Sequence, residues 1–404
     1  MPVPTPRIVL GQPVVVSRGP VGLKHWGPWQ LPAIERLGDG TLHVSFHVEA
    51  DSAKAYGLPV GHAVSADNGQ TWQIVPDAPA SGGLLLANGD RLRTIALRSR
   101  PVAGLTLPQP FAMTKGSYGT TYHVFRLEDL PDEMRDGWHF SRLRAGQTEW
   151  QEEKATVSKP GEIRYVAVEP SPGAKATGLA PDLTGGVFVF PWAWRLRRAP
   201  DGALWDMNYG LRAPGGRLND RWSCSLLRST DNGHTWAMQS DITYHGDAAA
   251  DPGWDKWDGF GEPNIAFLPD GSLLCFLRTT DGHGIGPMYW CRSHDNGKTW
   301  STPRVFDDRG VWPAVVELKN GATLVSYGRP GLFVRATSDP TGALWGERVA
   351  VREPLAYQTD TCSYSDMMTL DEQTALIAYS DFQYPDEQGQ ARKTILVRTI
   401  RAAA

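Results

Sequence analysis

Short apolar runs alternate with turn-forming residues along almost the whole chain. Five stretches share one form, two apolar segments separated by a polar residue and glycine. They are Ile34–Leu42, Leu84–Leu92, Arg198–Leu204, Ile265–Leu273 and Val315–Leu324. Asp-Gly or Asn-Gly between apolar runs closes a tight hairpin, so each copy predicts the first two strands of a new sheet. No long segment has helical periodicity or sustained heptads, and the predicted class is all-β.

A second phrase occurs three times: Ser65-Ala-Asp-Asn-Gly-Gln-Thr-Trp72, Ser229-Thr-Asp-Asn-Gly-His-Thr-Trp236 and Ser293-His-Asp-Asn-Gly-Lys-Thr-Trp300. One active site needs one set of groups, whereas a recurring supersecondary unit needs one turn per copy, so the phrase is structural. Its Asp can accept hydrogen bonds from the loop backbone, its Gly supplies a positive φ, and its Trp returns to bury aromatic surface. Together the two repeats define a module of four antiparallel strands. Six such modules, at roughly 28–75, 80–155, 185–240, 260–303, 310–348 and 360–402, predict a six-bladed β-propeller in a single domain over 1–404. The fifth has a degraded closing turn, Ser338–Trp345, and Pro13–Ser17 is expected to complete the last sheet. Two Pro/Gly-rich stretches and the charged run Arg126–Arg135 make roughly 105–180 a region of long loop insertions in the second module.

Composition favors one large β domain: 41% hydrophobic residues with Gly 43, Pro 31 and Trp 16, suited to tight turns and aromatic-packed sheets. A net charge of -4 offers no global attraction to nucleic acid or an anionic membrane, so an acidic ligand must meet a local basic site. Cys224, Cys275, Cys291 and Cys362 are widely spaced without CxxC and read as buried thiols. The amino-terminal segment lacks an apolar leader core and no run is long enough to span a bilayer. A soluble, cytoplasmic protein is expected, secreted or periplasmic if a leader has been removed. There is no P-loop, no dinucleotide fingerprint and no Cys/His ligand spacing, so no cofactor and no metal are assigned.

The tripled phrase resembles the Asp-box, or BNR repeat, of the sialidase superfamily, whose members are six-bladed propellers. The repeat also decorates non-enzymatic propellers, so function rests on single-copy residues. The resemblance implies an axial site with a Tyr nucleophile assisted by a Glu, an Asp acid/base and three arginines on the substrate carboxylate. A sialic acid carries its carboxylate on the anomeric carbon, which repels an anionic nucleophile, whereas a Tyr hydroxyl approaches uncharged. Arginine offers a planar two-point clamp for that carboxylate.

Gly261-Glu-Pro-Asn-Ile through Arg278 is similar to the family's segment carrying the Glu and the second Arg, which implies Glu262 as partner base and Arg278 as carboxylate ligand. Thr361-Cys-Ser-Tyr-Ser-Asp-Met-Met368 resembles the segment of the nucleophile, implying Tyr364. Tyr327-Gly-Arg-Pro offers Arg329 as third arginine, with Arg335 as rival. Phe46–Gly57 occupies the region of the acid/base, implying Asp51, with Glu49 second. Where the family has its first arginine, in a Phe/Tyr-Arg-Ile-Pro phrase, this chain has Trp29-Gln-Leu-Pro32, and Gln30 cannot neutralize a carboxylate. His25, His47 and Tyr56 join the candidate sugar-binding set, beside the aromatic cluster Lys24–Trp29.

Three readings stay open. The first is an exo-acting glycoside hydrolase taking a terminal acidic sugar of an oligosaccharide or polysaccharide, with neither nucleic acid nor membrane as partner. The second is a polysaccharide lyase on a uronic acid, with His25, His47 or Tyr56 as base. The third is a carbohydrate-binding propeller without chemistry.

Overall fold

The computed structural model describes residues 5–49, 60–79, 81–94, 99–101, 108–115, 121–126, 129, 138–158, 164–169, 186–188, 196–212, 217, 219–280, 286–356 and 359–403. Among these the protein is all-β, without an α-helix. The Asp-Gly and Asn-Gly turns join strands where the pattern puts them. In the first module they connect Gln30–Arg36 to Leu42–His47, followed by Val60–Ser65 and Gln73–Val75 in one antiparallel sheet. The fifth module repeats this with Val311–Glu317, Thr323–Gly328, Leu332–Thr337 and Val349–Arg352.

The other modules depart from separate four-stranded sheets. Modules two, three and four are hydrogen-bonded into one sheet of twelve strands. Two short parallel contacts make the joins: Thr156–Ser158 beside Thr235–Ala237, and Trp222 beside Gly259. Glycine is required at the second join. Its φ is +128, and a Cβ there would sit 2.4 Å from the Trp222 backbone. The region read as loop insertions also contains strands: Ala112–Lys115, Thr121–Arg126 and Arg164–Glu169 pair with one another, and with Gly186–Phe188 and Ser99–Pro101, in a further five-stranded sheet.

The sixth module gains strands from the amino terminus. Ser365–Thr369, Thr374–Pro385 and Ala391–Ala403 form the sheet, and both Arg7–Leu10 and Val14–Arg18 pair antiparallel with Ala391–Ala403. Val16 is buried there against Ile395 and Val397, and filling that position is worth about 1.5–3 kcal/mol. Deleting residues 1–18 is therefore expected to cost at least that much stability, read as a lower urea midpoint, and to reduce soluble yield. An unchanged midpoint would show that these strands only decorate the sheet.

The core lies between successive modules. Phe140 and Leu92 of the second meet Trp236 and Leu204 of the third. Trp205 and Leu226 of the third meet Ile265 and Cys275 of the fourth. Phe276 meets Tyr327 and Phe333 of the fifth, Leu324 and Val334 meet Ile377 and Leu396 of the sixth, and Leu376 meets Val44 and Ile34 of the first. Between the first and second, Glu35 Oε2 accepts from the Gly83 N–H at 2.6 Å and Ser81 O from the Gly38 N–H at 3.2 Å. Each module thus touches the next, and the last touches the first.

The repeated phrase forms one loop three times. Ser65 Oγ donates to Asp67 Oδ1 at 2.7 Å and accepts from the Gly69 N–H, while the Thr71 N–H and hydroxyl both donate to the Asp67 carboxylate. The bonds from Thr71 lead in drawing the Asp67 carboxyl down to about 2. Besides Gly, the loop puts Asn68, Asn232 and Asn296 at φ near +60, a region Asn tolerates. In the fifth module Asp339 and Trp345 keep the arrangement in altered sequence, with Trp345 Nε1 donating to Gly342 O. All four cysteines are buried free thiols.

Candidate active site

Three first strands begin with the same local device. Leu31-Pro32-Ala33-Ile34, Glu262-Pro263-Asn264-Ile265 and Trp312-Pro313-Ala314-Val315 each put a proline where the ladder must break, because proline has no N–H to donate. Pairing with the second strand slips at all three places. The residue before each proline takes a positive φ, 50 at Leu31, 45 at Glu262 and 54 at Trp312. Such a bulge removes one side chain from the alternation of the strand and re-aims it, at a cost in backbone strain. Arg329 and Ser363, beside the ends of strands in modules five and six, also have positive φ, 66 and 62.

These kinks bring Glu262, Trp312, Arg329 and Tyr364 together. The Tyr364 hydroxyl donates to Glu262 Oε1 at 2.5 Å. Arg278 Nη1 donates to the same oxygen at 2.7 Å and lies 3.3 Å from the Tyr364 hydroxyl. The Trp312 N–H donates to Glu262 Oε2 at 3.0 Å, and the indole ring lies 4.6 Å from the Tyr364 ring. The Arg329 guanidinium carbon sits 5.3 Å from the Tyr364 ring and 5.1 Å from that of Trp26, within cation–π range, while Nη2 donates to Cys362 O at 2.7 Å.

Charge in the cluster centers on Arg278. Burial opposes the charge on Arg278, but Glu262 and Tyr364 outweigh it and hold the guanidinium above its ordinary value. Arg278 reaches both the phenol oxygen and Oε1, so a negative charge stays beside it wherever the proton between them resides. Tyr209, from module three, lies in the same field: burial first, then Glu262 and Tyr364, push its phenol up. The Nε atoms of Arg278 and Arg329 are buried without a hydrogen-bond partner among the described residues.

Of the residues singled out in the sequence, the structure brings together Tyr364, Glu262, Arg278 and Arg329. Arg335 lies elsewhere, its Nε donating to Gly346 O and its Nη1 3.8 Å from Asp307. Gln30 is fully buried. With its amide oxygen turned toward them, it accepts from Lys393 Nζ at 2.9 Å and the Gly27 N–H at 3.2 Å. His47 is buried opposite Gln30 on the paired strand, its carbonyl accepting from the Trp29 N–H. His25 is exposed and offers its carbonyl to Lys393, and Glu49 is exposed. Asp51 and Tyr56 lie outside the described residues. Trp26 belongs to the aromatic cluster Lys24–Trp29 read from the sequence, whereas sequence reasoning missed Trp312, Tyr209 and Lys393. A signal existed for Trp312 in the repeated Pro-x-[Ile/Val] step; the others are single residues without a local motif.

The BNR repeat-like domain family matches residues 199–386, which span the third through most of the sixth module. A search of curated proteins found no match. Among solved structures, a protein of unknown function from Dyadobacter fermentans is 16% identical, with 98% of this chain and 99% of that chain covered at a TM-score of 0.58. An α-L-arabinofuranosidase from Fusarium graminearum is 17% identical, covering 97% and 98% at 0.49. A sialidase from Streptococcus pneumoniae is 13% identical, covering 96% and 70% at 0.48.

Proposed function

We propose that the six modules are the blades of one β-propeller domain, and that the chain is a sialidase-like exo-glycoside hydrolase acting on a terminal acidic sugar of a glycan. The cyclic order of inter-module cores supports the first part, because only a ring lets the last sheet pack on the first. The second part rests on the 2.5 Å bond from the Tyr364 hydroxyl to Glu262 with Arg278 against both.

In this reading the Tyr364 oxygen attacks the anomeric carbon while its proton passes to Glu262 Oε1. The bond to the leaving oxygen breaks and that oxygen takes a proton from Asp51, the acid/base implied by the resemblance. Water then attacks the glycosyl-tyrosine, giving up a proton to Asp51, and the phenol recovers its own from Glu262. Arg278 and Arg329 meet the substrate carboxylate, and Trp26 and Trp312 offer ring faces to the sugar.

The test is a panel of aryl sialosides and aryl uronosides followed by product NMR, then trapping with the fluorinated analogue of whichever sugar is cleaved. Hydrolysis with the fluorosugar mass on a Tyr364 peptide is the expected result. An unsaturated product, label on another residue, or no turnover of any acidic glycoside would each overturn it.

A further inference from the structure

Lys393 is 4% exposed, on the last long strand, and makes no ion pair among the described residues. Its neighbor Arg392 pairs with Asp386, and Asp381 on the paired strand is engaged by Arg352 at 2.9 Å. The ammonium instead donates to neutral oxygens, His25 O at 2.6 Å and the Gln30 amide at 2.9 Å, and sits 4.4 Å over the Phe382 ring. A buried cation without a counter-ion is costly, and one held by neutral acceptors keeps a net positive field for an incoming anion.

That field falls on the candidate site. Phe382 meets Trp26 edge to face at 6.1 Å, and Arg329 covers Trp26, so one aromatic pair separates the two cations. Both also face Cys362, two residues before Tyr364: Arg329 donates to its carbonyl, and each cation acts on its thiol. Gln30 is the position where the sialidase pattern calls for an arginine, and the side chain there is spent on orienting Lys393.

We propose that Lys393, positioned by Gln30 and the His25 carbonyl, is the specificity-determining cation that stands in for the first arginine and selects a carboxylate-bearing sugar. This deepens, and rests on, the hydrolase reading of the same site. Unlike an arginine, a lysine can lose its charge in a working pH range. Burial lowers the Lys393 ammonium to about 8, with Cys362 acting weakly in the opposite sense; Lys24 and His25 on the covering segment are exposed. The cation is present below that value, so preference for an acid is full near pH 7 and fades as pH rises through about 8.

The experiment is calorimetric titration of the full chain with N-acetylneuraminic acid, glucuronic acid and the methyl ester of each. The acid is expected to bind more tightly than its ester at pH 7. Lys393→Met should lower affinity for the acid about tenfold or more while leaving the ester unchanged, and Lys393→Arg should retain the preference. In the unmodified chain the preference should decline from pH 7 to pH 9, and in Lys393→Arg it should stay flat. Acid preference undiminished by Lys393→Met, or unchanged with pH in the unmodified chain, overturns the role of Lys393 while leaving the hydrolase reading, with Arg278 and Arg329 on the carboxylate, standing. An unmodified chain that binds acid and ester alike overturns both. Should Lys393→Met fail to fold, the pH series on the unmodified chain decides alone.

Discussion

Tyr364→Phe is expected to reduce kcat on a cleaved glycoside by about 10³-fold or more, with KM changed little. The substitution deletes one oxygen, the atom bonded to Glu262 at 2.5 Å, and leaves the ring against Trp312 at 4.6 Å and beneath Arg329. Packing and substrate contacts therefore survive while the attacking atom does not. Glu262→Gln tests the other half of the pair. It keeps the shape of the side chain and an oxygen for Arg278, but it cannot take the phenol proton, so a loss of about 10²–10⁴-fold is expected. Because the two act as a unit, the double variant should be scarcely slower than Tyr364→Phe alone. Rates that multiply in the double variant, or a Tyr364→Phe enzyme within tenfold of the unmodified one, would remove Tyr364 as nucleophile. Ligand affinity left intact in both variants, without any turnover to lose, would identify a binding protein instead.

Much of the scaffold was legible because its signals are local. Asp-Gly turns and the Ser-x-Asp-x-Gly-x-Thr-Trp phrase complete their own hydrogen bonds within a few residues, as Asp67 does with Thr71, so each copy announces a hairpin without reference to the rest of the chain. The sheet built by Ala112–Lys115, Thr121–Arg126, Arg164–Glu169 and Gly186–Phe188 was not legible, since the pairings of Thr121–Arg126 with Arg164–Glu169 and of Arg164–Glu169 with Gly186–Phe188 join segments far apart in the chain. The same division runs through the site. Glu262, Arg278, Arg329 and Tyr364 stand in segments whose residue order carries a resemblance. Trp312 was visible only by aligning Glu262-Pro263 with Trp312-Pro313, because equal backbone strain, not similar side chains, relates those positions. Lys393 was hidden because its meaning depends on Gln30, some 360 residues earlier, and nothing local distinguishes it from a strand lysine with its head in water.

The second large effect is expected at Arg142, whose replacement by Met should cost about 3–5 kcal/mol of stability. The side chain is 1% exposed and holds three partners: Glu153 through Nε at 2.6 Å, Asp90 through Nη1 at 3.3 Å and the Asn232 carbonyl through Nη2 at 2.7 Å. Asn232 lies at the tip of a repeated Asp/Trp loop, so this guanidinium clasps the second module to the closing turn of the third. An exposed ion pair contributes about 0–1 kcal/mol, but here Met removes at once a buried guanidinium shared by two partly buried carboxylates and one backbone carbonyl, leaving Glu153 with Arg144 and Asp90 with Asn88 and the Ala145 N–H. Lysine should rescue little, since a point charge cannot span three acceptors in different directions. The penalty should also depend on pH. Burial pushes the Asp90 carboxyl up, yet hydrogen bonds from Ala145 and Asn88 together with the Arg142 charge outweigh it and leave it below its ordinary value. A carboxyl lowered on folding contributes stability above its unfolded pKa and loses it as pH falls through the folded one. The cost of Arg142→Met should therefore be full at neutral pH and shrink in acid, as Asp90 takes up a proton and no longer needs a cation. Urea midpoints across that range, with hydrogen exchange of residues 138–158 and 235–242 as the local readout, measure both effects. A neutral-pH loss below about 1 kcal/mol, or one that grows on acidification, would mean that the apolar contact of Phe140 with Trp236 carries this junction without the ion cluster.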